Sequence, residues 1–206
     1  MTATVHVVDD DASWRKSVAR LLSTVGHRVV QYESAGQFLE TAELDAPGCI
    51  LLDMHMPEIT GLQLQQRLAG KQHALPTVFV SGHGDIPTSV LAMKAGAENF
   101  LTKPVEKSLF FGAVDNALKK DQIAKRKARE NEELTARYRS LTPREQEVLP
   151  LLVSGLLNKQ AAAELGITEY TVQIHRGNIM RKMKADSFAS LVRMAGKLNP
   201  DESERG

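Results

Sequence analysis

The first 115 residues alternate five short apolar runs with segments whose apolar residues recur at helical spacing. The runs lie at 5–8, 27–30, 49–52, 77–80 and 99–101. They are rich in β-branched residues and largely apolar at consecutive positions, which is typical of parallel strands covered on both faces. Five strand–helix repeats in this order predict a doubly wound α/β fold with a five-stranded parallel sheet. Functional groups in such sheets collect at the carboxyl ends of the strands.

Composition excludes several other classes of protein. The single cysteine, Cys49, can form neither an internal disulfide nor a zinc site by itself. No apolar run approaches the roughly 18 residues that a bilayer span needs, and the N-terminus lacks the pattern of a signal peptide. We therefore expect a cytoplasmic chain without a membrane partner.

The net charge of +1 conceals an uneven distribution. Residues 1–118 hold nine basic and thirteen acidic side chains, whereas residues 119–139 hold eight and four. Residues 140–195 hold seven basic and five acidic side chains. An acidic first half joined to a basic second half predicts two separate functions.

The charged middle segment belongs to a predicted long helix at 106–138 that leaves the first domain. Its last part has only a thin apolar stripe, which is typical of a solvated helical linker. A dimeric coiled coil is the alternative, although the stripe is not a clean heptad repeat. A new domain begins at Thr142, Pro143 and Glu145, which combine a helix cap, a first-turn proline and a capping box.

The rest of the chain is predicted to be all-α. The four predicted helices lie at 143–154, 158–165, 169–183 and 187–197. The predicted segments of the whole chain are a first domain at 1–118, a helical linker at 119–139, a second domain at 140–199 and a flexible tail at 200–206.

Polar side chains end four of the five predicted strands. Asp9 and Asp10 close the first strand, Asp53 the third and Ser81 the fourth, and Lys103 ends the fifth. The first and third strands are neighbours in a doubly wound sheet, so their carboxylates converge and repel unless a cation lies among them. Oxygen ligands of this kind suit Mg²⁺ or Mn²⁺. A carboxylate can accept a phosphoryl group where a metal and a lysine neutralise the developing charge.

The segments around these residues resemble the signature of response-regulator receiver domains. They are residues 8–11, 52–61, 81–85 and 100–104. The resemblance implies that Asp53 is the phosphoacceptor. It also implies that Asp10 and Asp53 ligate Mg²⁺ directly, that the backbone carbonyl of His55 is a further ligand, and that Asp9 acts through water.

The same resemblance implies a two-state switch. Ser81 and Lys103 bind the phosphoryl oxygens, and Phe100 stands at the aromatic switch position. Phosphorylation draws the Ser81 hydroxyl toward the acceptor, and Phe100 rotates inward to fill the space. The peptide bond before Pro104 is expected to be cis.

The second domain resembles the LuxR-type helix-turn-helix. The matching segments are residues 141–149, 155–162 and 165–176. Together the two domains resemble a NarL/FixJ-type transcriptional response regulator, and residues 81–85 are similar to the FixJ branch.

The predicted recognition helix begins after Thr168, which can cap it. Gln173 and Ile174 lie at the outward positions that read bases in this family, and Gln173 can pair with adenine. The alternative is that Gln173 is only a solvent-exposed residue that makes no base contact. The predicted phosphate contacts, which position a protein without reading sequence, are Lys159, Thr168, Thr171, Arg176 and Lys182. Val172, Ile179 and Met183 are predicted to pack inward.

The resemblance implies a DNA-binding transcriptional regulator, mostly an activator in this family. A sensor histidine kinase phosphorylates Asp53, the receiver then forms a homodimer, and the dimer binds promoter DNA and works with RNA polymerase. The chain is not expected to be an enzyme beyond accepting the phosphoryl group and slowly losing it.

Two other functions compete with this reading. A phosphohydrolase with an aspartyl nucleophile needs a second acid two residues later, where this chain has His55, and no cap domain is visible. A DNA-binding module that ignores phosphorylation would have no use for the acidic pocket.

Overall fold

The computed structural model describes residues 3–44, 46–70, 74–82 and 86–198. The chain divides into two compact units, Met1–Arg126 and Lys127–Gly206. The predicted tail at 200–206 and residues 83–85 of the FixJ-like segment lie outside the described residues.

The first unit holds the predicted five-stranded parallel sheet, in the order β2-β1-β3-β4-β5. The strands are β1 (Thr4–Val8), β2 (Arg28–Tyr32), β3 (Gly48–Asp53), β4 (Thr77–Ser81) and β5 (Asn99–Thr102). Strand β1 pairs with β3 in a register that sets Val8 beside Leu52. This confirms that the first and third strands are neighbours, so Asp9 and Asp53 leave the same edge of the sheet.

Helices cover both faces of the sheet. The helices of the first unit are α1 (Ala12–Ser23), α2 (Ala35–Thr41), α3 (Gly61–Leu68), α4 (Ile86–Lys94) and the first part of α5 (Lys107–Arg139). Alternate residues of β1 enter different cores, with Val5 and Val7 on the α1 and α5 side and Val8 on the α2 and α3 side. Burial of both faces explains why consecutive strand positions are apolar.

Helix α5 is continuous, as predicted, and bonds to the first unit beyond residue 118. The Asp121 carboxylate accepts a 2.8 Å hydrogen bond from the Gly48 amide. The Lys125 ammonium donates to the carbonyls of Leu44 and Ala46, at 3.1 and 2.5 Å. These contacts fix α5 to the segment between α2 and β3.

The second unit contains the predicted short helices. They are α6 (Pro143–Val153), α7 (Asn158–Leu165), α8 (Glu169–Met183) and α9 (Phe188–Leu198). The predicted capping box of Thr142 and Glu145 is present. Val172, Ile179 and Met183 are fully buried, which confirms that they pack inward.

A buried ion pair joins the first and third helices of this unit. The Lys182 ammonium lies 2.6 Å from the Glu145 carboxylate, whose side chain is only 4% exposed. Burial opposes the charge of Glu145, but hydrogen bonds from Lys182 and the Thr142 amide outweigh it and hold the pKa of Glu145 below its ordinary value. Lys182, predicted to contact phosphate, thus has an intradomain partner.

Gly61 allows α3 to approach the backbone of Asp53. A Cβ atom at Gly61 would lie 2.2 Å from the Asp53 carbonyl oxygen and 2.9 Å from the Phe79 ring. We predict that Gly61→Ala destabilises the protein by about 1–3 kcal/mol through overpacking, measured by urea unfolding. The helical Gly112 has no atom within 4 Å of such a Cβ, so the control Gly112→Ala should not destabilise. Equal stability of the two variants would contradict the close approach.

Lys182→Met should destabilise the second unit by about 1.5–3 kcal/mol, because it leaves a buried carboxylate without its charged partner. A carboxylate whose folded pKa is lowered stabilises the fold above its unfolded pKa and loses that contribution as the pH falls. The deficit should therefore be present at pH 7 and shrink below about pH 4. The control Lys197→Met removes an exposed lysine of the same unit and should change unfolding little. A deficit independent of pH would rule out the ion pair as its source.

Candidate functional site

One ammonium group joins the carboxylates at the carboxyl ends of β1 and β3. The Lys103 Nζ atom lies 2.6 Å from Asp9 Oδ2 and 3.0 Å from Asp53 Oδ1. The Lys103 amide also donates to the Ser81 carbonyl at 2.8 Å, which ties the end of β5 to the end of β4. The predicted residues Asp9, Asp53, Ser81 and Lys103 therefore lie together at one edge of the sheet.

Asp9 is the buried member of this group. It is 0% exposed, and its Oδ1 accepts a 2.8 Å hydrogen bond from the Asp11 amide. Burial raises the pKa of Asp9 above its ordinary value, against the opposing effect of Lys103. Burial acts against the charge of Lys103, but its bonds to Asp9 and Asp53 prevail and raise its pKa. The lysine is thus held in its charged form.

Asp53 is the last residue of β3 and is 6% exposed. Its Oδ1 accepts from Lys103, and its Oδ2 accepts a 2.7 Å hydrogen bond from the His55 amide. Both bonds fix the carboxylate at the edge of the sheet. A phosphoryl group bound there would have a lysine beside its oxygens.

Trp14 forms one wall of the lysine site. The Lys103 Nζ atom lies 4.3 Å from the centroid of the Trp14 ring, within the range of a cation–π contact. Asp11 caps α1 by accepting from the amides of Ser13 and Trp14, and this cap places the ring. Trp14 lies four residues after Asp10, and this spacing predicts a position on the first helix close to the pocket. The contact with the lysine is not predictable from the spacing.

The switch residues lie beside the acceptor. Ser81 is fully buried, and its Oγ atom is 3.3 Å from His55 Nδ1. Only the backbone carbonyl of His55 was expected to act in the pocket, so this side-chain contact was not predicted. Phe100 is half-buried, with its ring centroid 6.3 Å from that of Phe79. The Lys103–Pro104 peptide bond is cis, as predicted.

The acidic residues fit a hard divalent cation by their chemistry. Across the described ranges, no three His, Cys, Asp or Glu side chains are already gathered into a metal-binding group. Asp10 is exposed beside the pocket, while Asp9 and Asp53 face Lys103. The three carboxylates of Asp9, Asp10 and Asp53 outnumber the one Lys103 ammonium, which pairs with Asp9 and Asp53, so negative charge remains in excess. All the donors are oxygens, which suit Mg²⁺.

The second unit presents helix α8 to solvent. The Thr168 hydroxyl caps α8 by accepting from the Thr171 amide at 3.1 Å, and the two hydroxyls lie 2.8 Å apart. Gln173 is exposed and Ile174 is 47% exposed. Tyr170 on the same helix is 72% exposed. It lies four residues before Ile174, so both side chains lie on the same face of α8. This spacing could have identified Tyr170 from the sequence, but it was not predicted.

The predicted phosphate contacts have different surroundings. Lys159 is exposed at the start of α7. The Arg176 guanidinium lies 4.4 Å from the Phe188 ring centroid and donates to Asn158 at 3.4 Å. Lys182 is bonded to Glu145. Of the basic residues proposed for DNA, Lys159 has the most accessible charge.

Each of the two units matches a known protein family. Residues 5–115 match the response regulator receiver domain, and residues 139–195 match the LuxR family of bacterial regulatory proteins. In the described residues, no helix combines the length and the apolar character that a membrane crossing requires.

Individual proteins resemble the chain over nearly its full length. The response regulator protein TmoT of Ectopseudomonas mendocina is 45% identical over 94% of this chain and 88% of its own. The transcriptional regulatory protein FixJ of Rhizobium meliloti is 40% identical over 93% and 94%.

Solved structures agree with these relatives. The response regulator StyR matches with a TM-score of 0.88 and 43% identity over 96% of this chain and 100% of its own. Full-length FixJ from B. japonicum matches with a TM-score of 0.59 and 35% identity over 97% and 99%. The chain therefore belongs to the two-component response regulators, as a DNA-binding transcriptional regulator with a receiver domain and a LuxR-type helix-turn-helix domain.

Proposed function

We propose that phosphorylation of Asp53 by a sensor histidine kinase controls DNA binding by this chain. The observation that carries the proposal is the Lys103 ammonium held between Asp53 and the buried Asp9. A fixed cation beside the acceptor oxygen stabilises the charge that gathers on a transferred phosphoryl group. Loss of the group by slow autodephosphorylation resets the protein.

The pocket also holds a divalent cation, Mg²⁺ or Mn²⁺. Asp10, Asp53 and the His55 carbonyl are its ligands, and Asp9 acts through water. When bound, the ion neutralises charge on the phosphoryl oxygens. Lys103, which follows β5, supplies the second positive charge.

Ser81 and Phe100 transmit the change. Phosphorylated Asp53 attracts the Ser81 hydroxyl, which must leave its 3.3 Å contact with His55. Phe100, half-buried beside Phe79, rotates into the space that Ser81 vacates. The face formed by α4 and β5 is reshaped as a result.

That face forms a homodimer interface after phosphorylation. Helix α4 exposes apolar side chains along its length, while only Ala92 is buried. The exposed ones are Ile86 at 77%, Val90 at 43%, Leu91 at 54% and Met93 at 48%. Contiguous exposed apolar surface of this kind marks a protein–protein contact.

The dimer binds promoter DNA through α8. Gln173 and Ile174 read base edges. The residues that contact phosphates are Lys159, Thr168, Thr171, Arg176 and Lys182, of which Arg176 and Lys182 use the N–H donors that their partners within the domain leave free. We assign 1–118 as the receiver, 119–139 as the linker and 140–199 as the DNA-binding domain. The protein acts in the cytoplasm as an activator that contacts RNA polymerase.

Asp53→Asn should abolish acid-labile incorporation of phosphate from acetyl phosphate and Mg²⁺, because the amide is not a nucleophile. The matched control is Asp11→Asn, an exposed position where asparagine also caps a helix. The control should incorporate phosphate like the wild type. Phosphate retained by Asp53→Asn, measured by mass spectrometry, would refute the assignment.

Gln173→Ala should relax sequence preference at one operator position by about 1–3 kcal/mol, because a bidentate base contact is lost. Lys159→Ala should weaken binding to all sequences alike and reduce the salt slope by about one. Both effects can be measured by fluorescence anisotropy with single-base operator variants. A uniform loss for Gln173→Ala would show that Gln173 does not read bases.

A further inference from the structure

The ring of Trp14 lies against the lysine of the acceptor pocket. The Lys103 Nζ atom is 4.3 Å from the centroid of the ring, and the same atom is 2.6 Å from Asp9 Oδ2 and 3.0 Å from Asp53 Oδ1. Packing alone explains why a tryptophan is half-buried, but it does not explain why the ring meets an ammonium group. The contact therefore points to a role for the ring in the chemistry of the pocket.

The first turn of α1 is bonded to the backbone of the pocket. Asp11 caps the helix by accepting from the amides of Ser13 and Trp14, at 2.8 and 3.2 Å. The Asp11 amide donates to Asp9 Oδ1 at 2.8 Å, and the Arg15 guanidinium donates to the Asp9 carbonyl at 2.6 Å. Residues on both sides of Trp14 are thus bonded to Asp9, so the backbone of Trp14 is fixed relative to the pocket.

Apolar contacts hold the Trp14 side chain in place. The indole packs against the core cluster that α1 and α5 form on one face of the sheet. It also lines a small cavity of about 160 Å³, whose other apolar residues are Val18, Leu21, Val105 and Phe110. Both the backbone and the side chain of Trp14 are therefore restrained, and the ring provides a fixed surface for the Lys103 ammonium.

An aromatic ring restrains an ammonium group differently from a carboxylate. The carboxylates of Asp9 and Asp53 attract Lys103 with a full charge and offset its positive charge. The ring of Trp14 attracts it through the negative face of a π-system that has no net charge. During phosphoryl transfer Lys103 must exchange its bond with Asp53 for a bond with a phosphoryl oxygen. An uncharged restraint keeps the ammonium in the pocket during this exchange and does not neutralise it.

We propose that Trp14 is a positioning residue for phosphoryl transfer: its ring holds the Lys103 ammonium beside Asp53 and leaves the charge available for the phosphoryl oxygens. Trp14 acts through Lys103 and does not itself contact the phosphoryl group. The inference rests on the proposed function, because the ring has this role only if Asp53 accepts a phosphoryl group. The role depends on the aromatic face of the side chain and not on its apolar volume.

Three variants of the full chain separate the aromatic face from the packing. Trp14→Phe keeps an aromatic ring, and Trp14→Leu keeps apolar volume without one. The control Leu21→Ala removes packing from the same cavity about two turns further along α1. In NMR spectra of the ligand-free protein, the Lys103 ε-methylene protons should resonate upfield because they lie near the ring. This shift should persist in Trp14→Phe and Leu21→Ala and vanish in Trp14→Leu.

Beryllofluoride with Mg²⁺, which imitates an aspartyl phosphate, tests the phosphoryl site itself. We expect Trp14→Leu to raise the Kd for beryllofluoride and to lower the rate of phosphorylation by acetyl phosphate, each by about three- to tenfold. Trp14→Phe should remain within about twofold of the wild type in both measurements, because a phenyl ring also attracts a cation. Leu21→Ala should lose stability but bind beryllofluoride and accept phosphate like the wild type.

The role of Trp14 is overturned if Trp14→Leu binds beryllofluoride and accepts phosphate like the wild type. It is also overturned if Trp14→Phe or Leu21→Ala loses as much as Trp14→Leu, because the effect would then come from packing. In each of these cases Asp53→Asn still fails to accept phosphate, so the proposed function stands. Phosphate retained by Asp53→Asn would refute the proposed function, and the role of Trp14 with it.

Discussion

The Lys103 ammonium lies between two carboxylates that the parallel sheet brings together at one edge. Without a positive charge there, the fully buried Asp9 and the nearly buried Asp53 would repel each other in a medium that screens charge poorly. The lysine is itself held by the Ser81 carbonyl, which accepts from its amide, and by the Trp14 ring, over which its ammonium lies. The ends of four strands, β1, β3, β4 and β5, are thereby held in one arrangement around a single charged group.

The charges around Lys103 both stabilise the pocket and prepare it for the proposed phosphoryl transfer. The excess of negative charge that Lys103 leaves unbalanced suits the proposed divalent cation, which with Lys103 would favour an incoming phosphoryl group. In the proposed switch, a dianionic phosphoryl group on Asp53 would change the charge at the end of β3, and Ser81 at the end of β4 would respond. That response would break the partly buried contact of Ser81 with His55.

The sequence predicted the five strands, the long helix and the strand-end residues because each depends on local pattern: apolar runs, turn residues and spacing. Trp14 was placed near the pocket by its offset from Asp10, but its position over Lys103 depends on tertiary packing between α1 and the end of β5. The Glu145–Lys182 pair was missed because the capping box explained Glu145 and the family pattern explained Lys182. The Asp121 and Lys125 contacts were missed because those residues resemble the rest of a charged helix.

His6 was missed for a different reason, since a single polar residue in an apolar strand carries no pattern. Its contacts depend on Tyr32, which lies in the neighbouring strand, and on Phe38 of α2. The two ends of the sheet therefore follow opposite rules. At the carboxyl ends, polar residues gather around a charge that the protein supplies, whereas toward the amino ends the buried Nε2 atom of His6 has no hydrogen-bond partner among the described residues.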